Sequence, residues 1–182
     1  MNGEKSNGSA AKPSEADPVN DVRLKAARKR LAESRNQEDA IEGLREIVAN
    51  FLGSEEIGLF RVDRRSASFR VYWSFGIDPE KYDLARALGD AGLRRVMHGE
   101  CHVELPGRGR SGALARVQAF IPLRLANQTI AILAILRLLP QKLAFDRHDM
   151  ELFKLLSEEA AKPLFGASAQ STSASEEPGM RA

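Results

Sequence analysis

Apolar residues recur at three- and four-residue steps in three parts of the chain, and this spacing is typical of helices with one buried face. The first part, residues 21–34, carries a narrow apolar stripe among many Arg and Lys side chains, formed by Leu24, Ala27 and Leu31. The other two stripes are broader, and they are formed by Ile41, Leu44, Val48 and Phe51 and by Phe153, Leu156, Ala160 and Leu164. We therefore predict three amphipathic helices.

Local signals indicate where the second and third of these helices begin. Asn36 and Asp146 are good N-cap residues, because their side chains accept hydrogen bonds from the first free N–H groups of a helix. Asp39 and Asp149 follow them by three positions, where a negative charge near the helix N-terminus is favourable. Gly53 follows the second stripe and is a natural helix terminator.

Alternation of apolar and polar residues predicts a β-hairpin made of residues 55–62 and 69–75. In its second strand, the alternation places four apolar side chains on one face, namely Phe69, Val71, Trp73 and Phe75.

The second half of the chain contains a short predicted strand at residues 102–105 and two longer ones at residues 117–125 and 130–138. The two longer strands are almost continuously apolar and are joined by a polar turn around Asn127. Such strands are typical of a sheet that is covered on both faces.

The order of these elements predicts an α+β fold with an antiparallel sheet and helices on its faces. Residues 1–20 and 166–182 are rich in Gly, Ser, Ala, Pro and charge, and we expect them to be disordered tails. Between them we place a basic amphipathic helix at residues 21–35 and one globular domain at residues 36–165.

Composition narrows the class of protein without defining a function. The 182 residues are 43% hydrophobic, and the net charge of +2 is too small to indicate nucleic acid. Cys101 is the only cysteine, which excludes an internal disulfide and a multi-cysteine metal site. The chain has neither a signal-like apolar N-terminus nor an apolar run near the roughly 20 residues that span a bilayer, so we expect a cytoplasmic protein without a membrane span.

Several stretches resemble the GAF family of small sensory domains over about residues 36–165. They are AIEGLREIVANFLGSEEIGLFRVD, AGLRRVMHGECHVELP, QAFIPLRLANQTIAILAIL and LAFDRHDMELFKLLSEEAAKPL. The resemblance implies a sheet with the terminal helices on one face and a small-molecule pocket with its loops on the other. It also implies a homodimer that pairs through those helices.

The resemblance leads to two sets of candidate residues. For the pocket we expect Tyr72 or Trp73 from the hairpin and Phe120 from the Pro-Leu strand, with Arg108, Arg110 and Arg116 at the rim, where their planar donors suit a phosphate or carboxylate. For the dimer or partner interface we expect the apolar positions of the terminal helices, namely Leu24, Leu31, Leu152 and Leu155.

The loop LPGRGRSGAL contains Gly107, Gly109 and Gly112 at the spacing of a dinucleotide-binding loop. That motif requires a parallel βαβ unit and an acidic residue about 20 residues further on. Residues 131–136 contain no acid, and the loop is soon followed by a strand. The sequence therefore argues against NAD or FAD and favours a flexible, arginine-bearing loop.

Two further motifs of the family are only partly matched. Gln141, Lys142, Phe145, Asp149 and Met150 keep the Lys and Asp of a cyclic-nucleotide signature but depart from its Asn and Glu. A structural Lys–Asp pair is the favoured interpretation, and cyclic-nucleotide binding stays open.

The pair Cys101–His102 resembles the Cys-His pair that tethers bilin pigments, but here it begins a strand, so a plain thiol is favoured over a bilin site. The methionine sulfoxide reductases of the family need additional cysteines, which argues against an enzyme. His98, His102 and His148 are scattered along the chain, so no metal is expected.

The sequence thus predicts a stand-alone GAF-like regulatory module that dimerises and acts on a separate signalling protein, with or without a small anionic ligand. The alternative is a ligand-free interaction scaffold with a collapsed pocket, in which an edge of Leu152 and Leu155 binds a partner. The basic run at residues 23–30 can contact nucleic acid or a membrane surface, but a solvated helix that extends a dimer seam is favoured.

Overall fold

A computed structural model describes residues 18–63, 66, 68–104 and 118–166 of the chain. The helices in this part are α1 (Pro18–Ala32), α2 (Gln37–Ile47), α3 (Leu84–Met97) and α4 (Arg147–Glu159), and the strands are β1 (Ser54–Asp63), β2 (Ser68–Phe75), β3 (His102–Val103), β4 (Ala119–Leu125) and β5 (Gln128–Leu138). A π-helical turn, Val48–Leu52, extends α2, and residues 161–166 form a further helical turn after α4.

The predicted helix caps are confirmed. The Asp39 N–H donates to Oδ1 of Asn36 over 2.8 Å at the start of α2. At the start of α4, the Asp149 N–H donates to Asp146 and the Asp146 N–H donates back to the Asp149 carboxylate, both over 2.9 Å, which forms a capping box. Gly53 ends the π-helical turn in the left-handed region at φ 66°.

Helix α1 begins at Pro18, three residues before the predicted start at Asp21. Proline is compatible with the first turn of a helix, because the N–H that it lacks would have no partner there. Residues 18–20, which the sequence assigns to the N-terminal tail, are therefore helical.

The strands form one sheet in the order β2-β1-β5-β4-β3, and each neighbouring pair is antiparallel. Between β4 and β5, Ala126 and Asn127 both adopt positive φ values, 47° and 62°. Two left-handed residues are what a tight hairpin with right-handed strand twist requires. The predicted α+β class and the polar turn at Asn127 are confirmed.

The sheet separates two apolar layers. On one face it packs against α1, α2 and α4, and we call this the helical face; its buried strand residues are Ile57, Leu59, Ala119, Ile121, Leu123, Ala131, Leu133 and Ile135. On the other face it packs against α3, and we call this the α3 face; its buried strand residues are Phe60, Phe120, Ile132, Ala134 and Leu136. Strands β4 and β5 are thus covered on both faces, as their apolar sequence predicts.

A β-bulge in the β1–β2 pair changes which face the hairpin side chains occupy. Leu59 lies opposite Trp73, but the next residue, Phe60, lies opposite Val71, so Tyr72 is the extra residue. Phe69 consequently packs on the α3 face and Trp73 on the helical face. The prediction that the apolar residues of β2 share one face is wrong, because it assumed an uninterrupted strand.

A buried carboxylate joins the N-terminal helix to the C-terminal helix. Asp149 has no exposed side-chain surface, and its carboxylate accepts from Arg23 of α1 over 2.6 Å and from Lys142 over 2.8 Å. Arg23 also donates to the carbonyl oxygen of Phe51 in the π-helical turn over 2.8 Å. One acidic side chain therefore links α1, the π-helical turn, the β5–α4 connection and the start of α4.

We expect Asp149→Ala to lower the free energy of unfolding by about 3 kcal/mol, because removing one member of a buried ion-paired cluster leaves its partners uncompensated. Urea unfolding followed by circular dichroism measures this change. Glu158→Ala removes an exposed carboxylate from the same helix and is the control, with an expected change within about 0.5 kcal/mol. Equal effects of the two substitutions would contradict a structural role for Asp149.

Candidate functional site

The α3 face is the side of the sheet on which the resemblance places a pocket. Its centre is apolar and closed: Phe120, the predicted pocket residue on this face, is fully buried. Around that centre lie half-buried side chains, namely Val62, Phe69, Ile77, Tyr82 and Leu93. The described part of the face is thus a packed core with an accessible apolar margin.

Helix α3 is held to the sheet at its C-terminal end but interrupted near its middle. The Thr129 hydroxyl of β5 donates towards the carbonyl oxygens of Val96 and Met97, over 3.1 and 3.3 Å. Gly89 adopts φ 61° and ψ 172°, which breaks the helical backbone, and a methyl group added there would meet no atom within 4 Å. The break at Gly89 therefore divides α3 into two parts, and the hydrogen bonds from Thr129 hold the second part to the sheet.

A polar pair lies at the edge of the α3 face. His102 Nε2 and Glu104 Oε1 are 2.9 Å apart, and both side chains are largely buried. The His102 ring lies at a tilt beside Phe120, with centroids 6.1 Å apart. An imidazole and a carboxylate at an apolar margin can orient a small polar ligand by hydrogen bonds.

Glu104 is not among the site residues predicted from the sequence. The sequence signal that indicates Glu104 is its spacing of two residues from His102, because residues two apart in an extended chain point to the same side. That spacing brings the carboxylate of Glu104 next to the imidazole of His102.

The predicted rim residues Arg108, Arg110 and Arg116 lie outside the described residues, in the segment 105–117. The residues that flank this segment are in contact, since the N–H of Glu104 donates to the carbonyl oxygen of Gln118 over 2.9 Å. Glu104 and Gln118, the residues that flank the segment, thus lie side by side at the His102–Glu104 pair.

The predicted pocket residues are divided between the two faces. Phe120 lies on the α3 face, whereas Tyr72 and Trp73 pack against the core of the helical face. The bulge at Tyr72 is the physical reason, since it shifts the side-chain alternation of β2.

The four candidate interface residues pack inside the chain itself. Leu31, Leu152 and Leu155 are at most 5% exposed and belong to the core of the helical face, and Leu24 packs at its margin. The apolar edge of Leu152 and Leu155 that the scaffold alternative requires is therefore not on the surface. A dimer seam along these helices has to use other side chains.

Lys142 and Asp149, the two matched residues of the cyclic-nucleotide signature, form an ion pair over 2.8 Å. The pair lies at the N-terminus of α4, where Asp149 also takes part in the capping box. Asp149 is fully buried, and its carboxylate oxygens already accept from Arg23, Lys142 and the Asp146 N–H, which supports the structural interpretation of this motif.

The basic run of α1 is neutralised by carboxylates. Arg28 pairs with Glu159 over 2.8 Å, and Arg30 pairs with Asp39 over 3.0 Å and with Glu46 over 2.6 Å. Further pairs are Arg23 with Asp149, Lys25 with Asp21 and Lys29 with Glu33. Because each of these basic side chains faces an acid, the run attaches α1 to the domain and presents little unbalanced charge.

A groove of about 530 Å³ lies between the end of α1 and the end of α4, with Leu31, Ser34, Glu158 and Lys162 among its lining residues. Across it, Glu159 is already paired with Arg28. The groove is open, and the polar groups around it do not converge on one point.

Cys101 adjoins the His102–Glu104 pair. Burial raises the pKa of its thiol to about 11, and an unreactive thiol is the consequence. In the part of the chain that the structure describes, no three His, Cys, Asp or Glu side chains come together as metal ligands. Among the same residues, no helix is long and apolar enough to cross a membrane.

Solved structures that resemble this chain include several GAF domains. That of a phosphoenolpyruvate-protein phosphotransferase from Coxiella burnetii has a TM-score of 0.62 at 18% identity, covering 84% of this chain and 96% of its own. The corresponding domain from Acinetobacter has a TM-score of 0.58 at 16% identity, with the same coverage of 84% and 96%. The GAF domain of the potassium sensor histidine kinase KdpD from Escherichia coli has a TM-score of 0.53 at 16% identity, covering 82% of this chain and 98% of its own.

No family model and no curated protein matches the sequence. At such low identities the structural similarity defines the fold alone, and the chain has a GAF-like fold. This confirms the resemblance and the fold class that the sequence indicates.

We expect Cys101 to react slowly with iodoacetamide at pH 8. A thiol with a pKa near 11 is about 0.1% thiolate at that pH, against about a quarter for an ordinary cysteine. Mass spectrometry of the alkylated protein gives the rate without ambiguity, since the chain has one cysteine. The same protein in urea is the control and reacts as fast as a free thiol; equally fast reaction of the folded protein would contradict the burial of Cys101.

Proposed function

We propose that the chain is a sensory module of the GAF type that binds a small anionic ligand at the margin of the α3 face and regulates a signalling partner. The observation that carries the proposal is the His102–Glu104 pair, which lies beside the apolar margin of this face in a GAF-like fold. The structural neighbours support a sensory role by analogy, since one of them belongs to a sensor histidine kinase. The module itself is not catalytic.

The anionic character of the ligand is proposed from the segment 105–117. This segment begins and ends at the polar pair and contains Arg108, Arg110 and Arg116. Arginine binds carboxylates and phosphates through paired planar donors, so three of them near one margin favour an acidic ligand.

The proposed mechanism is a shift between two packing arrangements of the helices. A ligand beside His102 lies next to Gly92, in the part of α3 that follows the Gly89 break and is bound to Thr129. A ligand that binds one arrangement more tightly increases the population of that arrangement. The sheet separates α3 from α1 and α4, and we propose that it conveys the shift to them.

Native mass spectrometry of the protein purified from its own cells tests ligand binding directly. We expect the wild type to retain a small anion and Arg108→Ala/Arg110→Ala to lose it, because the two substitutions remove the paired donors. The control is Arg94→Ala/Arg95→Ala, which removes two exposed arginines of α3 and leaves the ligand bound. Wild-type protein without any small molecule would favour the ligand-free scaffold, and equal retention in both double variants would reject the arginine rim.

The closed centre of the α3 face favours the scaffold as the second candidate function. Phe120 is fully buried by the protein's own side chains, so any ligand has to bind at the margin or displace that packing.

We also propose a homodimer, with its seam on the outer side of α1 and the start of α4. Val22 of α1 is 67% exposed and Met150 of α4 is 37% exposed, and the two lie near the Arg23–Asp149 contact that joins these helices. Exposed apolar side chains on adjacent helices are a common feature of association surfaces.

We expect Val22→Glu to weaken the dimer by about tenfold or more, because an unpaired carboxylate in an apolar seam has to lose its hydration. Light scattering at micromolar concentration measures the mass of wild type and variant. Arg86→Glu changes an exposed residue of α3, on the other face of the sheet from the proposed seam, and it leaves the mass unchanged. A wild-type monomer at these concentrations would refute the dimer.

A further inference from the structure

The outer part of the helical face carries aromatic side chains that α1, α2 and α4 cover only in part. Trp73 and Phe75 of the edge strand β2 are stacked, with ring centroids 6.3 Å apart and planes at 10°. Tyr72 packs edge-on against Phe165, with centroids 5.0 Å apart. Tyr72 and Trp73 are half-buried and Phe75 is 40% exposed, so their rings form an accessible shelf.

Two arginines border this aromatic shelf. The Arg45 guanidinium lies over the Phe75 ring at 5.0 Å and is bonded to Glu42, whereas the Arg61 guanidinium lies over Phe165 at 5.4 Å. Arg61 is exposed and forms no ion pair with any residue that the structure describes. The shelf therefore combines stacking surfaces with an unneutralised cation, which suits an acidic segment that also has apolar or proline contacts.

We propose that the shelf is the docking site of the chain's own C-terminal segment, residues 167–182. This segment follows Gly166 directly, so it starts two residues after Phe165, which packs against Tyr72. It contains Glu176, Glu177 and Pro178 in succession. In the docked state the two carboxylates face Arg61 and the proline ring lies on the aromatic side chains.

The length of the connection fits this docking. Nine residues lie between Gly166 and Glu176, and all of them are Ser, Ala, Thr or Gln. A flexible linker of this length has a mean end-to-end distance of about 18 Å, and such short tethers give effective concentrations of about a millimolar. Weak contacts are sufficient for docking at that concentration.

The N-terminal segment is less well placed for the same shelf. It joins α1 at Pro18, and the neighbouring Asn20 is hydrogen-bonded to Glu151 at the start of α4. The shelf lies beyond the other end of α4, which is about 20 Å long at 1.5 Å per residue.

The docked C-terminal segment has the further effect that an acidic partner has to displace this segment before the partner can bind the shelf.

Trp73 is the only tryptophan of the chain, so its fluorescence reports on the shelf. In the full-length protein we expect Glu176→Gln/Glu177→Gln to increase quenching by acrylamide and to shift the emission to longer wavelength. Two exposed ion pairs change the ratio of docked to undocked chains by about two- to thirty-fold, which sets the size of the effect. Acrylamide is neutral, so the altered charge of the protein does not bias the measurement.

Two more variants make the test specific. Arg61→Gln removes the cation of the shelf and gives the same increase in acrylamide quenching. Combining Arg61→Gln with Glu176→Gln/Glu177→Gln gives no larger increase than Arg61→Gln alone or Glu176→Gln/Glu177→Gln alone. Glu4→Gln/Glu15→Gln makes the same charge change in the N-terminal segment and leaves Trp73 unchanged. Unchanged quenching in both Arg61→Gln and Glu176→Gln/Glu177→Gln would overturn the proposal, and so would an effect that disappears on dilution, because that effect requires a second copy of the chain.

Discussion

The Asp149 carboxylate is the contact on which the helical face depends. It is fully buried, and it is neutralised by Arg23 from α1 and by Lys142 from the β5–α4 connection. Without it, α1 would be attached mainly by Ala27, Leu31 and exposed ion pairs, because most of its other side chains are polar. A buried charge with two partners also fixes the relative position of the elements it joins more narrowly than apolar contacts do, since each hydrogen bond has a required geometry. The start of α4, the π-helical turn and α1 are therefore held in one arrangement.

The sheet separates this well-connected layer from a less regular one. On the α3 face, the covering helix is broken at Gly89 and is anchored to the sheet through Thr129. Regions with fewer long-range bonds open at lower free energy than the core, and binding sites are drawn from such regions. This contrast supports placing ligand recognition on the α3 face and partner contacts on the helical layer.

Local sequence signals predict much of this fold. The caps at Asn36 and Asp146 and the apolar strands follow from interactions between residues close in the chain. The bulge at Tyr72, which moves the later side chains of β2 to the other face, does not follow from such local interactions, because a bulge depends on the register of the partner strand. The burial of Leu152 and Leu155 and the pairing of Arg23 with Asp149 depend on how distant helices pack, which no short motif encodes. For the same reason, the sequence grouped Phe120, which packs on the α3 face, with Tyr72 and Trp73, which pack on the helical face.

The central claim is that α1 and α4 form one unit fixed by Asp149. Hydrogen exchange of the backbone amides tests it most directly, because the exchange of each helix reports the free energy of its own opening. The account predicts that the amides in the middle of α1 and α4 are protected to the same degree, and more strongly than those of α3 before Gly89. Rapid exchange throughout α1 while α4 remains protected would contradict it.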